Sequence, residues 1–102
     1  MVGGTIMLVI KFNEAGSILG TRMLGKNFKN KIISNLDKDV IKLDFSGVEM
    51  ISNSFADEFI GKMIFELGID KVKKNTTFIN VNKNVMLVLR KAINDRMREI
   101  AC

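Results

Sequence analysis

The chain of 102 residues contains no histidine, proline, tryptophan or tyrosine, and Cys102 is its single cysteine. One thiol cannot form an internal disulfide, so a reducing compartment such as the cytoplasm is expected. Without histidine, zinc sites of the usual ligand sets and histidine-based catalytic triads are excluded. A carboxylate site for magnesium is the remaining alternative, but the acidic residues are dispersed along the chain, so the sequence predicts neither a metal nor a cofactor.

Long hydrophobic runs are also missing. The longest apolar run is TIMLVI, residues 5–10, which is far shorter than the ~20 residues that a membrane-spanning helix needs. No basic segment precedes an apolar stretch near the N-terminus, so we expect no signal peptide. The sequence therefore predicts a cytoplasmic protein that does not enter a membrane.

Acidic residues are fewer than basic ones, with 11 against 16, and the net charge is +5. A positive balance suits an acidic protein surface or a nucleic acid, and it also keeps a protein soluble. Nucleic-acid binding is disfavoured, because the chain shows no helix-turn-helix, zinc finger or pair of RNA-binding aromatics. Solubility is the simplest interpretation of the charge.

The overall composition is that of a folded domain. Hydrophobic residues make up 47% of the chain and charged residues 26%, which is typical of soluble globular proteins. The length suits one domain, residues 1–102. A domain of this size buries roughly two-thirds of the surface that its unfolded chain exposes.

Three short runs are predicted to be strands. Residues 5–12, TIMLVIKF, carry apolar side chains at odd and even positions, which predicts a strand buried on both faces. Residues 40–45 and 76–81 are the other two strands. Residues 13–16 are predicted to turn, and SIL at 17–19 adds a short extended piece.

Three apolar stripes with helical spacing predict three helices. These helices span about Thr21 to Leu36, Ser54 to Leu67 and Lys83 to Ile100. Gly68 is predicted to end the second helix, and residues 69–75 to form a polar connector. The alternation of strands and helices predicts an α/β fold with right-handed crossovers and a largely parallel sheet. Sites in such folds lie at the carboxyl ends of the strands, which here points to residues 46–55.

The stretch ISNSFADEFIGKM, residues 51–63, begins the second predicted helix. Ser54 and Asp57 match the capping box S-x-x-[DE] ahead of an apolar run, which predicts Ser54 as the helix cap. Ser52 or Asn53 is the alternative cap, since sequence patterns place helix ends only to within a few residues.

The position of Ser54 also suits phosphorylation. A phosphate at an exposed helix start faces free N–H groups and the positive end of the helix dipole. The two carboxylates of Asp57 and Glu58 would repel that phosphate. We therefore expect a phosphate on Ser54 to change a binding surface by its charge, without creating a new fold.

Three runs of the chain carry a family resemblance: GSILGTRMLGKNFKNKI, VIKLDFSGVEMISNSFADEFIGKM and TTFINVNKNVMLVLRKAI. They resemble the STAS-like family of small bacterial domains of unknown function, which are similar to anti-anti-sigma factors of the STAS superfamily. The resemblance covers roughly residues 5–98 and is most specific at 20–22 and 54–58. It implies a β-α-β-α-β-α fold with a small, largely parallel or mixed sheet and packed helices.

The superfamily carries a phosphoacceptor motif, Asp-Ser-Ser-Gly, at the start of this helix, and its second serine is the acceptor. The resemblance places the acceptor on Ser54, the first serine on Asn53, the aspartate on Ser52 and the glycine on Phe55. The acceptor hydroxyl is retained, while the aspartate and the glycine are replaced. The resemblance implies a non-enzymatic regulatory domain that binds a histidine-kinase-like ATPase or an anti-sigma-type protein.

The candidate partner-binding surface combines the start of the second helix with the basic first helix. Arg22, Lys26 and Lys29 occur in the first helix, which contains no acid, so attraction to an acidic partner is expected. Arg22 is expected to be a solvated surface residue, and a contact with an acid near the second helix start is the alternative. The candidate contact residues are Arg22, Lys26, Ser52, Asn53, Asp57 and Glu58.

Two other functional classes are alternatives to this interpretation. In a structural or oligomerising module, the exposed surface would serve self-association and the serine would only cap a helix. An enzyme is disfavoured, because no nucleophile in the sequence has a base beside it.

Overall fold

The computed structural model describes residues 7–36 and 40–101, in which strands and helices alternate. The strands are β1 (Met7–Lys11), β2 (Ile18–Leu19), β3 (Val40–Asp44), β4 (Met50–Ile51) and β5 (Thr76–Ile79). The helices are α1 (Arg22–Ile33), α2 (Asn53–Ala56), a π-helical segment (Asp57–Gly61), α3 (Lys62–Leu67), α4 (Ile69–Asn75) and α5 (Lys83–Ala101). A 3-10 turn (Phe12–Ala15) follows β1. No helix in these two ranges is both long and apolar enough to cross a membrane.

The main sheet has the strand order β1-β3-β5, and both strand pairs are parallel. Parallel neighbours joined through helices are the defining feature of α/β folds, so the predicted fold class is confirmed. The strands predicted at 5–12, 40–45 and 76–81 are found within the described residues. Residues 5 and 6 lie outside that part of the chain.

The hydrophobic core lies on one face of this sheet. Ile10, Ile41 and Leu43 are almost completely buried on that face, whereas Val9 is 44% exposed on the other. Among the side chains that the structure describes on Val9's face, none belongs to the buried core. The prediction that the first strand is buried on both faces is therefore wrong, because the core packs against only one face of the sheet.

Phenylalanine rings form the centre of the core. The ring of Phe12 stacks on those of Phe28 and Phe45, with centroid distances of 4.2 Å in both cases. Phe55 and Phe59, from the second predicted helix, pack edge-on or tilted against Phe12. The helices are thus fixed on the sheet by aromatic contacts that add to the burial of apolar area.

A second, smaller sheet consists of β2 and β4, which pair in parallel with Ile18 beside Met50. The extended piece predicted around SIL is β2, whereas β4 was not predicted. The side chain of Asn82 fixes the approach to β4. Its amide donates to the carbonyls of Val48 and Glu49 at 3.0 and 3.2 Å, while its oxygen accepts from Val85 N–H and caps α5.

The second predicted helix forms as one continuous helical run, 53–67, made of α2, the π-helical segment and α3; we call this run the central helix. Gly68, with a φ of +87°, ends it as predicted. The prediction that residues 69–75 form a polar connector is wrong, because α4 occupies them. Val72 anchors α4 in the core and is 3% exposed, and Ile69 also packs against the core. Two apolar residues among seven are too few to show a helical stripe in the sequence.

Candidate functional site

The candidate site lies at the point where α1 and the central helix begin. β2 and β4 are parallel neighbours, so their carboxyl ends meet at one edge, where α/β folds place their sites. β2 leads through Gly20 and Thr21 into α1, and β4 leads through Ser52 into the central helix. Thr21 caps α1, since its hydroxyl accepts a hydrogen bond from Leu24 N–H at 3.1 Å.

Ser52, and not Ser54, caps the central helix. The Ser52 hydroxyl accepts from Phe55 N–H at 3.0 Å and donates to the carbonyl of Gly20 at 2.9 Å. A cap residue has an extended backbone, as Ser52 does, whereas Ser54 is already inside α2. The predicted capping box at Ser54 is therefore wrong, and the alternative cap at Ser52 is correct.

Ser54 lies in the first turn of the central helix, and its side chain is partly exposed. Within residues 7–36 and 40–101, its hydroxyl makes no hydrogen bond. Ser54 lines a cleft of about 160 Å³. The other residues of this cleft are Arg22, Asn53, Asp57, Lys91, Ala92 and Asp95.

Asp57 is held by two arginines from different helices. Arg22 Nη1 lies 3.1 Å from Asp57 Oδ2, and Arg96 binds both carboxylate oxygens through Nε and Nη2 at 3.0 and 3.1 Å. Partial burial favours the neutral acid, but the hydrogen bonds from Arg96 and Arg22 outweigh it and lower the pKa of Asp57. The expectation that Arg22 is a solvated surface residue is wrong, and the alternative contact with an acid near the second helix start is correct.

Glu58 is the second acid of the site and is 7% exposed. Its Oε1 lies 3.1 Å from Lys62 Nζ and 3.4 Å from Arg22 Nη1. Burial alone would raise the pKa of Glu58, but the hydrogen bonds from Lys62 and Arg22 lower it. Both carboxylates near Ser54 are therefore ionised and paired at neutral pH.

Gly25 allows α1 to lie directly against the central helix. A Cβ at this position would stand 2.7 Å from the Phe55 carbonyl oxygen and 3.2 Å from Phe59 N. The neighbouring atoms are backbone, which cannot move aside as a side chain would. The close approach also brings Arg22, one turn earlier on α1, within reach of Asp57.

The two acids belong to the π-helical segment, a local widening of the helix that is frequent at functional sites. Gly61 ends this segment. A Cβ on Gly61 would lie 3.0 Å from Asp57 Oδ1 and 3.1 Å from Arg96 Cγ. The missing side chain thus leaves the space in which Arg96 reaches Asp57, and the Arg96 guanidinium also lies over the ring of Phe65.

The basic face predicted for the first helix is only partly present. Lys29 is 8% exposed, and its Nζ lies 2.6 Å from Glu66 Oε2. Lys26 is exposed and has no ion pair within the described residues. The expectation that the cations of the first helix have no acid beside them is therefore wrong for Lys29 and for Arg22. Lys29 pairs with Glu66 of α3, 37 residues away in sequence, and Arg22 pairs with Asp57 and Glu58.

Three residues of α5 that line the cleft or pair with Asp57 were not found from the sequence: Lys91, Asp95 and Arg96. Their spacing is that of an ordinary solvated helix face. Lys91 Nζ pairs with Asp95 at 2.8 Å, and Arg98 also contacts Asp95. No local signal could have assigned Arg96 to Asp57, since the two are 39 residues apart. Of the remaining predicted residues, Asn53 is exposed at the rim of the cleft.

In the part of the chain that the structure describes, no group of three or more His, Cys, Asp or Glu side chains is arranged to hold a metal ion. The charged side chains of the site pair with one another. The arrangement supplies one unbonded hydroxyl, two cations at the cleft and three paired acids, Asp57, Glu58 and Asp95.

Comparison with known proteins identifies the family. The model of the family described as STAS-like domain of unknown function (DUF4325) matches residues 24–86. This stretch contains Ser52, Ser54 and Asp57, whereas Arg22 precedes it and Arg96 follows it. A comparison with curated proteins and one with solved structures each gave no match. The match spans more than half of the chain and confirms the resemblance, so the chain belongs to the family of STAS-like domains of unknown function.

Proposed function

We propose that this chain is a non-enzymatic regulatory domain that binds a protein partner in the manner of an anti-anti-sigma factor. Phosphorylation of Ser54 switches the contact. The family resemblance suggests a histidine-kinase-like ATPase or an anti-sigma-type protein as the partner, in the cytoplasm. The observation that carries the proposal is the unbonded Ser54 hydroxyl on a cleft that also contains Arg22 and Lys91.

The charges around Ser54 support a phosphorylation site better than the sequence alone did. Asp57 is paired with Arg22 and Arg96, and Glu58 is paired with Lys62 and Arg22. Paired carboxylates repel a nearby phosphate less than free ones do, because the cations offset their field. The repulsion expected from these acids is therefore reduced.

The same pairing supports the non-enzymatic part of the proposal. A general base must be able to take up a proton near neutral pH. The hydrogen bonds from two arginines lower the pKa of Asp57, which makes its carboxylate a poor base for the Ser54 hydroxyl. Asp95, the other acid of the cleft, pairs with Lys91, and its pKa is lowered as well.

The test is to purify the protein from its native host and to analyse it with its bound partner by mass spectrometry. We expect a protein of the ATPase or anti-sigma class and a fraction of chains phosphorylated at Ser54. The matched control is Ser54→Ala, which should keep the partner and lose the phosphate. Phosphate found only at residues other than Ser54 would contradict the switch.

A second candidate, a self-associating module, is favoured by one observation. Ile18 and Met50 are register neighbours on β2 and β4 and are 68% and 53% exposed. Adjacent exposed apolar side chains are a feature of interaction sites. Sedimentation equilibrium tests this candidate: Met50→Lys should lower the association constant, whereas Ile100→Lys, at an exposed position near the end of α5, should not. A monomer at all concentrations removes this candidate.

A further inference from the structure

Arg22 and Arg96 hold the same carboxylate in different ways. Arg96 contacts both oxygens of Asp57, and its side chain is only 18% exposed. Arg22 contacts one oxygen of Asp57 and, at the longer distance of 3.4 Å, one oxygen of Glu58, both through Nη1, and its side chain is 55% exposed. Of these two arginines, Arg22 is the more weakly held and the more accessible.

Removing Arg22 from this cluster leaves no buried charge without a partner. Asp57 keeps the two hydrogen bonds from Arg96, and Glu58 keeps Lys62 at 3.1 Å. An uncompensated buried charge is what usually makes such a departure unfavourable. The arrangement therefore allows Arg22 to move while the packing of the central helix stays intact.

Lys91 can also leave its acidic partner without leaving that acid unpaired. It is 62% exposed and pairs with Asp95, which also contacts Arg98. Arg22 and Lys91 both line the cleft that Ser54 lines. The volume of the cleft, about 160 Å³, is several times the ~30 Å³ that one water occupies in the liquid, so the cleft has room for a phosphoryl group.

We propose that Arg22 is a transferable counter-ion: it pairs with Asp57 and Glu58 while Ser54 is unmodified and moves to the phosphate, together with Lys91, once Ser54 is phosphorylated. This inference rests on the proposed function, since it requires a phosphate at Ser54. Phosphorylation then changes two surfaces at once. The phosphate charge is partly neutralised, and Asp57 and Glu58 lose their exposed cation, so the negative charge appears on the π-helical segment.

The experiment uses the full chain with phosphoserine installed at position 54 by genetic-code expansion, and no partner is needed. The second pKa of the phosphate, about 6 for an isolated phosphoserine, is measured by phosphorus NMR titration. We expect Arg22→Gln to raise this pKa by at least about half a unit, because it removes an opposite charge. The matched control is Lys26→Gln, an exposed lysine one turn further along α1 and outside the cleft. Equal phosphate pKa values in the two variants would overturn the proposal.

A second measurement follows the two acids directly and shows, from their resolved signals, that the Arg22 variant is folded. Carbon NMR of the side-chain carboxyls gives the pKa of Asp57 and Glu58 before and after modification of Ser54. Arg22 lowers both pKa values, so its departure should raise them, and the phosphate charge raises them as well, whether or not Arg22 moves. The rise on modification should therefore be larger in the wild type than in Arg22→Gln, in which no guanidinium can leave. Equal rises in the two proteins would mean that Arg22 stays in place. Neither measurement involves a partner. A negative result would therefore overturn the transfer of Arg22 and leave the proposed partner regulation standing, and loss of the partner regulation would leave the transfer of Arg22 standing.

Discussion

The hydroxyl of Ser52 donates to the carbonyl of Gly20 at 2.9 Å while accepting from the N–H of Phe55 at 3.0 Å. One side chain thus caps the central helix and ties its start to the chain entering α1. The two helices that carry Asp57 and Arg22 therefore begin at a fixed separation. The Ser54 cleft lies beside this junction.

Ser52→Ala should destabilise the protein by about 1–2 kcal/mol, because it removes a helix cap and a second hydrogen bond. Ser54→Ala is the matched control and should change the unfolding free energy by less than about 0.5 kcal/mol. Urea unfolding followed by circular dichroism measures both. A larger loss for Ser54→Ala than for Ser52→Ala would show that the cap is assigned to the wrong serine.

Gly25→Ala should destabilise the protein, by about 1–3 kcal/mol. Replacing a glycine inside a helix by alanine normally stabilises the protein by roughly 0.5–1 kcal/mol. The sign of the change in unfolding free energy therefore tests the close contact at Gly25. The reason is the 2.7 Å approach of the new Cβ to the Phe55 carbonyl. Gly20→Ala, where no atom lies within 4 Å of the new Cβ, is the control and should be nearly neutral in thermal unfolding.

Phe59→Ala should cost about 3–5 kcal/mol, because the ring is fully buried among other aromatic rings. Phe65→Ala serves as the control. Phe65 belongs to the same helical run but is 58% exposed, so its loss should cost less than about 1 kcal/mol. Similar unfolding midpoints for the two variants would mean that the buried face of the central helix is placed wrongly.

The pairing of Asp57 makes a pH-dependent contribution to stability. Its pKa is lowered in the folded state, so the contribution is complete above the ordinary aspartate pKa, about 3.9, and is lost as the pH falls through the lower folded value. Asp57→Asn should cost about 1–3 kcal/mol at neutral pH. The difference between wild type and variant should shrink below about pH 4. Urea unfolding from pH 7 to pH 2 measures it, and a constant difference would exclude the ion pair as its source.

The fold was largely predictable from the sequence because the signals that define it are local. Alternating apolar residues mark β3, and a continuous apolar stripe marks the central helix and its end at Gly68. Two elements gave weak signals. α4 is buried through Val72, and β4 is only two residues long. Neither shows a periodicity that a sequence pattern can detect.

The site was less predictable, because its contacts are long-range. The start of the second helix was found, but its cap was assigned two residues too late, since Ser52 and Ser54 both suit a helix start. The partners of Asp57 and Lys29 come from helices 35 or more residues away in sequence. Charge patterns within one helix cannot show such pairs, which is why the cations of α1 were expected to have no acidic partners.

The most direct test of the regulatory proposal is the affinity of the purified partner for three variants, measured by calorimetry. Ser54→Asp, which adds a charge at the cleft, should bind at least tenfold more weakly than wild type, equivalent to ~1.4 kcal/mol, whereas Ser54→Ala should bind nearly as wild type. Thr77→Asp is the control, because Thr77 is exposed and pairs with Lys42 in the sheet, away from the cleft. Equal affinities for Ser54→Asp, Thr77→Asp and wild type would contradict the account.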